Sequence, residues 1–178
     1  MLPALRIFLD IALLRRGPED VPVSQSLLLA TIGGFLALSF GLRLLFEPSL
    51  PQWPLQILIS ILFALLWYRV LLGVFGKSER FQQTMTAIFG VNCLLTPFLV
   101  PIETLVRPFV EKPNDASPWV VLLLPLAVYV IYVTARILRS AIDRPMFQCV
   151  ALVLLHTLLE PFVMGAFLDI PVTPAAGG

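Results

Sequence analysis

Of 178 residues, 58% are hydrophobic and only 13% are charged, with a mean hydropathy of +0.93; soluble domains run nearer half apolar and a quarter charged, so a water-soluble globule is excluded. The net charge of +1 comes from 12 basic residues scattered among 11 acidic ones, which excludes a nucleic-acid-binding surface. Spans of ~20 apolar residues, each crossing ~30 Å of hydrocarbon, would use most of the chain, leaving one membrane domain and no separate soluble one.

In chain order, Met1–Leu14 is apolar apart from Arg6 and Asp10, which are four apart and share a helix face. Its apolar core is too short to span, and Arg15-Arg16 follow it, whereas a signal peptide places its bases first. Residues 1–24 therefore read as an amphipathic interfacial helix and linker, with the arginines toward anionic lipid and Gly17-Pro18 ending the helix.

A five-helix transmembrane domain then occupies residues 25–168, with spans at about 25–46, 55–75, 84–106, 119–138 and 145–168. Ser24 is placed to N-cap the first span. Within that span Gly33, Ala37 and Gly41 recur every four residues, a small-residue ladder on which another helix can pack closely. Pro48, Pro51 and Pro54 stiffen the next loop, and Trp53 is expected at the lipid–water boundary. The second and third spans form a hairpin around Gly76-Lys77-Ser78-Glu79-Arg80, with Arg69 snorkelling near the tip.

The third span is the most polar. Asn92 and Thr96 are four apart with Cys93 adjacent, a strip expected to hydrogen-bond between helices, and Pro97 and Pro101 are expected to bend the helix. The loop Glu103–Ser117 is expected to be irregular, and residues 169–178 to form a flexible tail. Cys93 and Cys149 lie in apolar runs without a C-x-x-C spacing and read as small buried hydrophobes.

Orientation follows from the bases. With the N-terminus inside, Arg6, Arg15, Arg16, Arg69, Lys77, Arg80, Arg136, Arg139 and Arg144 are cytoplasmic, and Arg43, Arg107 and Lys112 are outside. Nine against three is a strong positive-inside bias. The fold class is thus all-α: a polytopic membrane protein of five transmembrane helices plus the N-terminal interfacial helix, with its C-terminus on the outer side.

The hinge Tyr68-Arg69-Val70-Leu71-Leu72-Gly73-Val74-Phe75-Gly76-Lys77-Ser78-Glu79-Arg80-Phe81-Gln82-Gln83-Thr84 resembles the bacterial branch of the Yip-domain (Ypt/Rab-interacting) membrane protein family. Tyr129–Ala141 is similar to the start of that family's last helical pair. The resemblance implies a five-helix domain in the bacterial inner membrane that binds partner proteins or shapes membranes, without catalytic chemistry. It assigns no site residues.

Ionisable groups inside hydrocarbon are the candidate site. His156 and Glu160 share a face of the last span, a spacing that serves a proton relay, two metal ligands or a structural pair. Two ligands do not complete a zinc site and the chain has no second histidine, so no metal or cofactor is expected. Arg43 reaches a similar depth from the first span and can pair with Glu160. The proposed polar cluster is Arg43, Asn92, Glu103, His156 and Glu160, in the outer half where Pro97, Pro101, Pro125 and Pro161 also fall. No nucleophile–base set or phosphate loop appears, and Ser78, Ser117 and Ser140 read as turn or cap residues. Two functions follow. The favoured one is a non-enzymatic interaction or scaffold subunit, contacting lipids and other membrane proteins or copies of itself through lateral helix faces and basic cytoplasmic turns. The alternative is a small transporter or channel component with a polar cavity in the outer half.

Overall fold

The computed structural model describes residues 2–46, 52–111 and 118–168, with side chains over 4–46, 52–105 and 124–168. The helices are α1 (Leu2–Ala12), α2 (Gln25–Phe46), α3 (Trp53–Val74), α4 (Phe81–Glu111), α5 (Pro118–Ile142) and α6 (Met146–Leu168), and no strand occurs among the described residues. Helices α2 to α6 are long and apolar enough to cross a membrane. The protein is an all-α, multi-pass membrane protein. The tail at 169–178, Pro48, Pro51 and residues 112–117 lie outside the described residues.

Local chemistry explains most helix ends. The Ser24 hydroxyl accepts from the Leu27 amide at 3.3 Å and caps α2. Pro54 sits in the first turn of α3, where its missing amide costs no hydrogen bond. Gly76 adopts φ +67, the left-handed conformation that ends α3 and admits the turn into α4. One expectation is corrected: α4 does not give way to an irregular loop at Glu103 but stays helical to Glu111. Glu103, Arg107 and Glu111 recur every four residues, the spacing at which opposite charges support a helix.

Helix α4 is the hub, packing on α1, α2, α3 and α5, while α6 closes the bundle against α3 and α5. Thr84 through Val91 are buried without a break, so this stretch is enclosed on every side. Its hydroxyls serve their own helix. Thr84 Oγ1 donates to the Arg80 carbonyl at 2.8 Å and Thr86 Oγ1 to the Gln82 carbonyl at 2.7 Å, leaving neither group unsatisfied.

The N-terminal helix docks on this hub. Phe8, Ile11 and Ala12 are buried, with the Phe8 ring against Gly90 of α4. The Tyr129 hydroxyl of α5 donates to the Ala12 carbonyl. Gln83 Nε2 donates to the Val21 carbonyl at 3.0 Å and ties down the linker. The opposite face of α1, with Leu5 and Leu9, stays exposed, as does Leu13 just beyond its end. Asp10 pairs with Arg16 at 3.3 Å, closing the turn after α1, while its helix neighbour Arg6 remains exposed. Trp53 opens α3. It is buried edge-on against Phe40, ring centroids 4.7 Å apart, because α2 and α3 converge there and enclose it.

The α3–α4 and α5–α6 turns meet at one end of the bundle. Asp143, in the left-handed region at φ 54, accepts from Lys77 Nζ at 2.9 Å and Arg80 Nη1 at 3.1 Å. Those two hydrogen bonds, that of Lys77 first, hold its carboxyl below the ordinary value. Arg80 also donates to the carbonyls of Ser140 (2.8 Å) and Ala141 (3.2 Å), capping α5. Arg69 and Arg144 lie over Phe81 and Phe75, each 5.3 Å from the ring centroid.

Candidate functional site: a polar cavity among α2, α3, α4 and α6

Toward the other end of the bundle the helices separate around a cavity of about 560 Å³. Its polar lining comes from Ser39 and Arg43 of α2, Gln56 and Ser60 of α3, and Asn92, Thr96 and Glu103 of α4. Phe35, Ile57, Leu99 and Val100 add hydrocarbon, and Pro161, Met164 and Gly165 of α6 complete the wall. Pro161 interrupts the α6 amide ladder at this depth and Gly165 presents no side chain, so α6 fills little of the space. The volume falls within the range of about 300–1,000 Å³ typical of small-molecule sites.

Arg43 Nη2 lies 3.4 Å from Glu103 Oε2, an ion pair between α2 and α4 with the arginine the better buried partner. Charge at this depth is tolerated where it lines a cavity and has a partner. On the α3–α6 side the Ser60 hydroxyl donates to the Glu160 carboxyl. Ser39 and Thr96 are buried, and the Thr96 hydroxyl donates back to the Asn92 carbonyl at 2.7 Å, not across to another helix. Cys93 does reach across, its thiol 3.4 Å from the Thr31 carbonyl of α2.

Of the five proposed cluster residues, Arg43, Asn92 and Glu103 line this cavity. Glu160 adjoins it through Ser60 and its neighbour Pro161, and Arg43 pairs with Glu103, not with Glu160. His156 lies apart. Its ring stacks on Phe63, with centroids 4.9 Å and planes 13° apart, and Trp67 and Tyr68 sit at 6.0 and 5.6 Å. Its Nε2 and the Trp67 Nε1 are buried without a hydrogen-bond partner among the described residues. No three His, Cys, Asp or Glu side chains gather as a metal site would need, among the described residues.

The ladder faces outward. Gly33, Ala37 and Gly41 are exposed, and Gly33 and Gly41 have nothing within 4 Å of where a Cβ would stand. Gly34 is the glycine turned to α4, its Cβ position 3.6 Å from Cys93 Sγ. Ser39, Gln56 and Ser60 were not singled out from the sequence, yet a signal exists. Ser39/Arg43, Gln56/Ser60 and Asn92/Thr96 are each four apart, one polar pair on one face of each of three apolar spans. Compared with known proteins, the chain matches no family model, no curated protein and no solved structure.

Proposed function

We propose that the protein is a membrane subunit that takes a small polar solute into the cavity between α2, α3, α4 and α6. The observation that carries this reading is the lining itself: an arginine, a carboxylate, two amides and three hydroxyls from three membrane-spanning helices converge on one cavity. The Arg43–Glu103 ion pair presents opposite charges side by side, which suits a dipolar solute, and the amides and hydroxyls orient it. With the positive-inside orientation, the N-terminus and basic turns lie in the cytoplasm of a bacterial inner membrane and the cavity opens outward.

The test is reconstitution of the protein alone in liposomes, with re-swelling followed after osmotic shock by small polar solutes. Gln56→Cys, in a background with Cys93 and Cys149 replaced by serine, supplies a handle on the cavity wall. Entry of at least one solute, blocked by a bulky impermeant maleimide added from outside, is the expected result. Liposomes that stay tight to every solute, or entry unaffected by the modification, would refute the proposal.

A second reading, an interaction subunit that binds a membrane partner through α2, is supported by the outward position of Gly33, Ala37 and Gly41. Resemblance of the hinge to the Yip-domain family, whose members act on partner proteins, supports the same reading. Gly33→Leu with Gly41→Leu should then abolish co-purification of that partner while leaving solute entry unchanged. An undiminished complex would exclude this face.

A further inference from the structure

A second hollow, about 540 Å³, lies at the basic end and is lined by Arg136, Arg139, Ser140, Asp143, Arg144 and Pro145. Three guanidiniums meet one carboxylate there, and that carboxylate is already committed. Asp143 is held by Lys77 and Arg80 from the other turn. Arg80 also occupies the last carbonyls of α5, which would otherwise draw these arginines inward. Arg144 rests on the Phe75 ring, which positions its charge without neutralising it. Neither Arg136 nor Arg139 has an ion-pair partner among the described residues.

The surface below the hollow is apolar and faces away from the bundle. Leu124, Val128 and Tyr132 are exposed on α5 and continue at four-residue spacing to Arg136, so charge and hydrocarbon share one stripe. On α6, Phe147 is exposed three residues after Arg144.

We propose that this hollow holds the phosphate of an anionic phospholipid, with an acyl chain along Tyr132, Val128 and Leu124. Arginine forks fit phosphate oxygens in pairs, and a site at the end of two spanning helices places the phosphate at headgroup level. A soluble phosphate would use the same guanidiniums but gain nothing from the stripe, which favours the lipid.

The test reads thermal unfolding of the purified full chain in neutral detergent as lipid is added. Phosphatidylglycerol should raise the unfolding temperature progressively and phosphatidylcholine should not. Arg136→Gln with Arg139→Gln should demand roughly 25-fold more phosphatidylglycerol for the same shift, about fivefold per arginine at an anionic surface. Arg107→Gln with Lys112→Gln, an equal loss of charge among the bases assigned to the outer side, should leave the response within about twofold. Equal responses to the two lipids, an undiminished response in R136Q/R139Q, or an equal loss in the control pair overturns the assignment. A response of the same size to glycerol 3-phosphate, which lacks the chains, also overturns it and makes the hollow a soluble-anion site. Should R136Q/R139Q not fold, native mass spectrometry of the wild-type protein from an equimolar mixture of the two lipids decides. Retained phosphatidylglycerol supports the proposal, and no preference overturns it.

Discussion

Phe8 occupies the space that Gly90 leaves empty: a Cβ on Gly90 would lie 2.4 Å from the Phe8 ring. The docking of α1 on α4 therefore depends on a glycine in the middle of a spanning helix. Gly90→Ala should displace the ring and destabilise the protein by about 1–3 kcal/mol, the usual cost of overpacking. Phe8→Ala combined with Gly90→Ala should cost less than the sum of the two single changes, because removing the ring makes room for the added methyl. Thermal unfolding in detergent measures both, and strict additivity would show that the two side chains do not share that space.

The tie between the two turns should be pH-dependent with a definite sign. The Asp143 carboxyl titrates below its ordinary value of 3.8 because Lys77 and Arg80 hydrogen-bond its ionised form. Its stabilising contribution is thus complete above the ordinary value and disappears as pH falls through the lowered one. Asp143→Asn should lower the unfolding temperature at neutral pH, and the gap from wild type should close below about pH 4. A gap that widened in acid would contradict the tie.

Ser60→Ala removes the hydroxyl that donates to Glu160. The expected loss is about 0.6–1 kcal/mol, typical of interhelical hydrogen bonds in membranes. If the pair acts as a unit, Ser60→Ala in a Glu160→Gln background should cost clearly less than in wild type. Equal costs in the two backgrounds would separate the residues.

His156 should tolerate a ring but not its removal. Its Nε2 is buried without a partner among the described residues, so His156→Phe keeps the stack on Phe63 and deletes an unsatisfied group. That variant should unfold at the wild-type temperature or above, whereas His156→Ala should cost about 2 kcal/mol or more. Solute entry should survive His156→Phe, and its loss would return the histidine to a proton-relay role.

The span positions were legible in the sequence because hydrocarbon thickness dictates run length, and α2 begins at Gln25 and ends at Phe46 as composition implies. Arg43, Asn92 and Glu103 were legible as candidates because polar groups in such runs are costly and need a reason. Which residue each would meet was not. Depth along a helix follows from counting, but the direction each helix turns toward its neighbours does not. Counting alone put Arg43 within reach of Glu160, yet α2 turns it to Glu103. The same blindness hid that Gly34 faces α4 while the Gly33 row faces outward, and left Ser60 unnoticed until α3 and α6 came together.

Arg80 and Lys77 clasp Asp143 at one end of two hairpins, and the cavity lies toward the other. Two rods pinned together at one tip pivot there, and any rocking is amplified with distance from the pin. Opening of the cavity therefore needs no hinge within a helix, only a small swing of α6 against α3 about this fulcrum. Spin labels at positions 56 and 165 should give a broad distance distribution, and labels at 78 and 140 a narrow one. Equal widths at both ends would mean the bundle moves as a single block.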